Sequence, residues 1–276
     1  MAYRTSFERL KQFFAETGGS PKKGFSQNFL IDANIVNKIV HTAGVQEGDS
    51  VLEIGPGFGA LTEKLLLAGA SVTAVEKDPL FHNELKSMPI TLYLQDAMKF
   101  DLSCIDTSKK RAKVVANLPY HLTTPLLVKL FLEGFNKWSS VTVTVQYEVA
   151  KRIASKPGHA DYGSLTLFLN FFSSVRSLFK ISSSCFYPKP SVDSATVHLD
   201  VKEKLPIEPS KDRDLFFVMT RAAFGQRRKF LSNSLSAVYD KKKVVDALES
   251  MGLSSRTRPE NLSLEEYLAL FEMLKS

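Results

Sequence analysis

The chain has 276 residues, 44% hydrophobic and 24% charged, with 36 Lys and Arg against 29 Asp and Glu for a formal net charge of +7. That length suffices for one large domain plus a small one, and the composition is ordinary for a soluble globular protein. No run of about 18 apolar residues is present, which excludes a membrane-spanning helix, and two cysteines, Cys104 and Cys185, are too few for a disulfide framework and show no metal-ligand spacing.

Residues 3–16 place Phe7, Leu10, Phe13 and Phe14 at helical spacing, with Arg4, Glu8, Arg9 and Lys11 elsewhere. Gly18-Gly19-Ser20-Pro21 ends that helix, and a loop runs from Lys22 to Asp32, which is suited to cap a helix from Ala33 to about Thr42. The start of the chain lacks the apolar core of a signal peptide, and with the cysteine count this gives the expectation of a reducing, cytoplasmic location. From residue 50 the pattern alternates between short apolar runs and helical segments. Strands are predicted at 51–54, 71–75, 90–94, 114–116 and 140–146, with helices at 60–67, 79–86, 125–132 and 147–154 between or after them. Repeated strand–helix units imply an α/β fold, a doubly wound parallel sheet of Rossmann type, which binds ligands beyond the carboxyl ends of its strands.

A loop at 156–163 and a helix at 164–172 follow. Residues 175–180 and 195–201 read as a late strand pair, separated by Cys185-Phe186-Tyr187-Pro188-Lys189-Pro190-Ser191-Val192-Asp193, which its prolines hold extended. Leu205-Pro206-Ile207-Glu208-Pro209-Ser210 reads as a linker. Helices are predicted beyond it, at about 211–223, 227–238, 241–250 and 263–273. The expected organisation is therefore a catalytic domain over 1–204, including the N-terminal helix and loop 1–32, and a small all-helical domain over 205–276. Positive charge gathers in the latter, at Arg221, Arg227, Arg228 and Lys229 and again at Lys241–Lys243. With Lys22 and Lys23 of the N-terminal loop, the first four are the candidate contacts to a polyanion, although surplus basic charge alone is a weak signal and a solvated surface explains it equally.

The candidate site residues gather at strand ends. Gly55, Gly57 and Gly59 follow the first strand of the alternating region; a turn so rich in glycine lets backbone approach a nucleotide-like ligand, and the same stretch also reads as a Gly-x-Gly-x-x-Ala dinucleotide fingerprint. Glu76 ends the next strand, where an acid accepts hydrogen bonds from ribose hydroxyls. Asp96 ends the third and is suited to accept from an adenine amino group, a surface or capping aspartate being the equally weighted alternative. Asn117-Leu118-Pro119-Tyr120 is the most specific signal. A ring-conjugated amine is a weak nucleophile because its lone pair is delocalised. The Asn117 side-chain oxygen and the Leu118 carbonyl can accept both of its hydrogens and so favour a pyramidal nitrogen. Pro119 stiffens the turn, and Tyr120 offers a face for base stacking. Phe186 is a candidate second ring, although a core phenylalanine explains it better in isolation. The five histidines show no metal spacing, so no metal is expected.

With these residues in hand, the sequence resembles the ribosomal RNA adenine N6,N6-dimethyltransferases of the kasugamycin-sensitivity type over nearly its whole length. The likeness rests on Ser26–Leu30, Glu53–Thr62, Glu76–Asp78, Asp96-Ala97, Asn117–Tyr120, Phe186–Ser194 and Arg221–Lys229. It implies S-adenosylmethionine as cofactor and a small helical RNA-binding C-terminal domain; a monomer is expected. The implied substrate is a pair of adjacent adenosines in the hairpin near the 3′ end of small-subunit (16S) rRNA, in a precursor of the 30S subunit during ribosome biogenesis. By position, Asn28 and Leu30 would line the methionine side of the cofactor. Gly55 would face its carboxylate end, Glu76 its ribose and Asp96 its adenine, with Asn117 serving both cofactor and target amine. Ser26, Gln95 and His121 depart from the family pattern. Three other readings compete: the macrolide-resistance methyltransferases of the large subunit, a non-catalytic RNA-binding assembly factor, and an NAD-dependent oxidoreductase.

Overall fold

The computed structural model describes residues 6–22, 24, 27–208, 210–226 and 228–275. These form two compact units, one built from residues up to Ala150 together with Ser174–Val201, the other from Lys151–Ser173 together with the chain from Lys202 onward. The second unit thus takes in an internal segment as well as the C-terminal helices, rather than following a single cut at 204/205.

In the first unit, helix α1 (Ser6–Thr17) turns its apolar stripe inward. Leu10 is buried, Phe13 stacks on Phe81 at 5.5 Å between ring centroids, and Phe14 meets Phe29 edge-on at 5.9 Å. The two-residue strand β1 (Phe29–Leu30) follows, then α2 (Ala33–Thr42), which Asp32 caps by accepting from the amides of Asn34 and Ile35. The alternating region supplies β2 (Ser50–Ile54), α3 (Ala60–Leu67), β3 (Ser71–Glu76), the short α4 (His82–Lys86), β4 (Thr91–Leu94), β5 (Ala112–Asn117), α5 (Thr123–Gly134) and β6 (Trp138–Gln146). Each lies within a few residues of its predicted place, because β-branched runs punctuated by glycine or Asp-Pro leave few alternatives.

Helices α6 (Tyr147–Ile153) and α7 (Ser164–Phe172) lead to β7 (Ser173–Ile181), the two-residue β8 (Phe186–Tyr187) and β9 (Ser194–Val201). The main sheet has seven strands in the order β4-β3-β2-β5-β6-β9-β7. Strands β4, β3, β2, β5 and β6 run parallel, and β9 pairs antiparallel to β6. The order reverses at β2, so β2 and β5 flank the switch point where such sheets open a crevice at their carboxyl ends.

A second, two-stranded sheet pairs β1 with β8, Phe29 opposite Tyr187 and Leu30 opposite Phe186. Neither strand is predicted from the sequence, where both segments read as loop. The pairing pins the N-terminal segment to the Pro-rich stretch, and Ile31 extends it by donating its amide to the Cys185 carbonyl at 3.0 Å.

The second unit has an aromatic centre. Phe171 packs on Phe216 at 5.4 Å and Phe172 stacks on Phe217 at 5.7 Å, joining α7 to α8 (Ser210–Gly225). Phe271 of α11 (Leu264–Lys275) meets Phe216 edge-on at 5.6 Å. These contacts explain why α7 belongs with the C-terminal helices. Leu205 and Ile207 are buried, so the stretch read as a linker alternates inward and outward residues against the core. Helix α9 covers only Leu231–Leu235, not 227–238, because Lys229 closes a turn onto the Gln226 carbonyl and Phe230 is extended. Helix α10 (Lys241–Ser250) is capped by Asp240.

Candidate functional site

The crevice beyond β2, β3, β4 and β5 opens into a cavity lined by Asn28, Leu30, Glu53, Gly55, Gly57, Glu76, Lys77, Gln95, Asp96, Asn117, Leu118, Pro119, Tyr120 and His121, among others. Every residue expected to hold the cofactor, and four of the five expected at the reaction, lie in this one cavity.

The glycine turn divides its labour. Gly55 has φ +69°, and a Cβ there would have only the Asn117 carbonyl oxygen within 4 Å, at 3.9 Å. Its missing side chain therefore leaves space open to a ligand. Gly57, at φ +54°, is instead crowded by protein: a Cβ would stand 2.9 Å from Cε1 of Phe29. Its freedom serves the close approach of the N-terminal segment.

Glu76 is held at both oxygens. Oε2 accepts from the Gly57 amide at 2.9 Å and Oε1 from the Asp78 amide at 2.7 Å. Burial pushes the Glu76 carboxyl above its ordinary value, and the Asp78 and Gly57 amides pull against that rise. A carboxylate has about four lone-pair sites, so the fixed group keeps acceptor capacity for a ligand hydroxyl. Asp96 lies at the next strand end. Its Oδ1 accepts from the Met98 amide at 2.9 Å and its Oδ2 from Lys77 Nζ at 2.8 Å. The Lys77 hydrogen bond, with that of Met98, holds its carboxyl below the ordinary range.

Glu53 stands inside the glycine motif, yet the sequence pattern assigns it no role. It is buried and lines the cavity. Thr62 Oγ1 donates to its Oε2 at 2.7 Å. Burial pushes its carboxyl up to about 8; the Thr62 hydroxyl opposes this and the charge of Glu76 adds to it.

At the reaction end, Asn117 closes β5 and donates Nδ2 to the Asn28 carbonyl at 3.0 Å. That bond fixes the amide so that Oδ1 is the atom left to accept. The Leu118 amide donates to the Thr144 carbonyl at 3.1 Å, and the Pro119 carbonyl accepts from the Leu122 amide at 3.0 Å, so the turn is tied on both sides. Tyr120 shares a 2.7 Å hydrogen bond with Ser194 at the start of β9, which holds its ring in place. Ser194 is the last residue of the Phe186–Ser194 motif, and this contact gives that motif a use the sequence does not suggest.

Phe186 does not line the cavity. It is 2% exposed and packs with Leu30, Val36 and Ile181 in the hydrophobic core. The structure thus places this ring in the core, where β8 pairs with β1, and not on the cavity wall. Lys22, expected to contact RNA, has a partner within the protein. Its Nζ lies 2.8 Å from Asp78 Oδ1, and Gln27 Nε2 donates to Asp78 Oδ2 at 2.7 Å. The Asp78 side chain is fully buried. Burial alone would raise its carboxyl, but the bonds from Lys22, the Leu80 amide and Gln27 outweigh it and hold it below the ordinary value. Arg221 is exposed on α8, and Arg228 and Lys229 are exposed in the turn before α9. Lys23, Arg227 and Ser26 lie outside the described residues. Among the described residues, no group of three His, Cys, Asp or Glu side chains is arranged to hold a metal, and no helix is long and apolar enough to cross a membrane.

The family model described as ribosomal RNA adenine dimethylase matches residues 19–276. A relative from Chlamydia muridarum, named ribosomal RNA small subunit methyltransferase A, is 55% identical over 274 residues, 99% of each chain. A more distant one from Protochlamydia amoebophila bears the same name and is 47% identical over 97% of this chain and 96% of its own. Among solved structures, a dimethyladenosine transferase from Plasmodium falciparum superposes with a TM-score of 0.74 at 26% identity, over 87% of this chain and 94% of that one.

Proposed function

The chain belongs to the ribosomal RNA adenine dimethylase family, and we propose that it dimethylates N6 of two adjacent adenosines in the 3′-terminal hairpin of small-subunit rRNA during ribosome biogenesis. It is an S-adenosylmethionine-dependent rRNA adenine dimethyltransferase. The observation that carries the reading at the level of the site is the Asn117 amide, fixed by Asn28 so that its oxygen is presented as an acceptor, in the cavity that also holds Glu76 and Asp96.

The residues present fit the cofactor. Gly55 leaves room that any side chain would fill. Glu76 offers two fixed acceptors for ribose hydroxyls, Asp96 an acceptor for the adenine amine, and Asn28 and Leu30 line the remaining wall. When bound, the cofactor supplies an electrophilic methyl group on a sulfonium. The protein supplies position and charge stabilisation. Asn117 Oδ1 and the Leu118 carbonyl accept the hydrogens of the target amine and turn its lone pair outward. Tyr120, braced by Ser194, provides a face for the flipped base. No strong base is required, because the amine proton becomes acidic only once the methyl has arrived, and water then takes it. Methyl transfer from labelled cofactor to undermethylated small subunits, followed by mapping of the modified bases, tests the reading. Label appearing in large subunits instead would overturn it in favour of the macrolide-resistance type.

The cofactor carries positive charge, and any cation admitted to this cavity favours the carboxylate form of Glu53. With its carboxyl at about 8, Glu53 holds its proton at pH 7. Binding should therefore lower that value and release protons near neutrality, and affinity should rise with pH until Glu53 is already ionised. Calorimetry in buffers of different ionisation enthalpy reads the release directly. It should shrink as pH rises past Glu53's ionisation and vanish in Glu53→Gln; release that persists in the variant assigns it to another group.

We read the second unit, with its exposed Arg221, Arg228 and Lys229, as the RNA-binding domain. Replacing these three with Ala should weaken RNA binding and flatten its dependence on salt, by a slope of about 0.7 for each phosphate of a single strand that is no longer neutralised. Cofactor affinity should stay the same. A wild-type salt slope would show that these side chains face away from RNA.

A further inference from the structure

A line of hydrogen bonds runs round the cavity wall from the glycine turn to the reaction end. The Gly57 amide donates to Glu76 Oε2 at 2.9 Å, and Glu76 Oε1 takes the Asp78 amide at 2.7 Å. The carboxylate of the same Asp78 takes Gln27 Nε2 at 2.7 Å and Lys22 Nζ at 2.8 Å. Gln27 Oε1 accepts from the Lys22 amide at 2.8 Å. The next residue, Asn28, presents the carbonyl that takes Asn117 Nδ2 at 3.0 Å. Two neighbouring residues thus tie the N-terminal segment to opposite sides of the cavity. Gln27 reaches the cofactor side at the end of β3, and Asn28 reaches the reaction side at the end of β5. Beyond Asn28, β1 is fixed to β8.

We propose that Gln27 and Asp78 are positioning residues for methyl transfer, which fix the Asn28 carbonyl and through it the orientation of the Asn117 amide. The inference rests on the reading of Asn117 as the acceptor for the target amine. The physical reason is that an amide side chain has two orientations that differ only in which end is donor. Nothing in Asn117 itself prefers the oxygen outward; the Asn28 carbonyl imposes it. A carbonyl in a loop holds its direction only if the peptide on each side is held. β1 holds the following side. The buried carboxylate of Asp78, gripping Gln27, holds the preceding one. Asp78 is suited to the task because the folded core already fixes it, through its amide on Glu76 and through the Leu80 amide on its Oδ1 at 3.1 Å. The arrangement also gives the Asp in Glu76-Lys77-Asp78 a purpose that ribose binding alone does not.

The test compares Gln27→Ala and Gln27→Lys with the wild type. Lysine keeps a donor for Asp78 but loses the acceptor for the Lys22 amide and brings a second ammonium to the carboxylate that Lys22 Nζ already meets, so it should restore the tether in part. Three readings are taken. In ligand-free protein, amide hydrogen exchange across 28–31 should speed up in Gln27→Ala and return towards wild type in Gln27→Lys. At saturating cofactor and RNA, kcat of Gln27→Ala should fall about tenfold or more, the scale expected when a reacting group is misplaced by a fraction of an ångström to an ångström. The KM for RNA should hold, and the ratio of mono- to dimethyladenosine per turnover should change. Gln27→Lys should recover part of kcat. Gln27→Ala with wild-type exchange and kcat, or Gln27→Lys as impaired as Gln27→Ala, overturns the proposal. A wild-type enzyme that transfers no methyl to small-subunit RNA would instead overturn the functional reading, while the exchange measurement still decides whether the tether exists.

Discussion

Asn117→Ala should lower turnover by about 10²- to 10³-fold at saturating S-adenosylmethionine, the scale of removing one preorganised polar contact to the reacting group, while RNA affinity stays near wild type. Asn117 sits at the carboxyl end of β5, paired with Thr144 of β6, so its backbone is held by the sheet and not by any ligand. Its side chain has one donor bond, to Asn28, and one outward acceptor. Truncation removes both. Without the acceptor, the lone pair of the target amine stays conjugated with the ring. Without the donor, the N-terminal segment loses a tie to β5, which is why cofactor must be saturating when rates are compared. RNA affinity is spared because phosphate contacts, not one amide, carry most of it. A further consequence separates this mechanism from a simple packing defect. After the first methyl arrives, the amine has a single hydrogen left, so Asn117 Oδ1 and the Leu118 carbonyl can no longer both be satisfied as before. The first and second transfers should therefore be slowed by different factors, as read by mass spectrometry of mono- and dimethyladenosine in single turnovers. Equal slowing would count against the two-acceptor arrangement, and near-normal turnover would remove Asn117 from the chemistry.

Whatever has a local signature is legible in the sequence. The parallel strands can be read because each is a β-branched run ended by a turn residue. The cavity can be read because Gly55, Glu76, Asp96 and Asn117 each stand at the carboxyl end of such a run, and a sheet that reverses at β2 brings those ends together. The illegible parts depend on partners distant in sequence. Strands β1 and β8 have two residues each, too few for any periodicity, and each acquires its conformation only from the other. That pairing places Phe186 in the core of this structure, a position that no local pattern in the sequence indicates. Lys22 reads as a free basic side chain because its partner is Asp78, 56 positions away and buried. Glu53 looks like part of a strand; its significance comes from the cavity reaching it and from Thr62 of α3 meeting it. The α7 segment reads as part of the first domain because it lies between strands in sequence, whereas its phenylalanines find their partners on α8. The shortening of α9 has a similar origin, since the Leu231 amide donates to the Thr257 carbonyl at 2.7 Å and a turn replaces the first predicted helical residues.

Glu76→Ala should weaken S-adenosylmethionine binding by about 1–3 kcal/mol through the lost ribose hydrogen bonds, roughly 5- to 150-fold in Kd, and the damage should extend to the glycine turn itself. The carboxylate is shared between ligand and protein. Its Oε2 fixes the Gly57 amide and its Oε1 the Asp78 amide. Both donors are in a nearly dry setting, with Glu76 only 7% exposed. Removing the acceptor leaves them to find water or to move, and movement of Gly57 is constrained because Phe29 lies against it. Glu76→Gln is not a rescue. An amide has one acceptor and one donor end, so it can take only one of the two backbone N–H groups and must oppose the other. Both variants should therefore bind cofactor weakly, and Glu76→Gln should not approach wild type as an isosteric replacement on an exposed surface would. The pH dependence that Glu76 contributes has a definite sign. Because burial raises the Glu76 carboxyl, the fold ionises it at a higher pH than the unfolded chain does. Across that window the folded state holds more protons than the unfolded state, so the contribution of Glu76 to stability falls as pH rises. Ribose binding needs acceptors, so cofactor affinity rises over the same window. The difference between wild type and Glu76→Ala, in thermal unfolding and in equilibrium binding as pH rises from the ordinary carboxylate range, should show those opposite slopes. Parallel slopes, or an affinity that the substitution leaves unchanged, would take Glu76 out of the cofactor site.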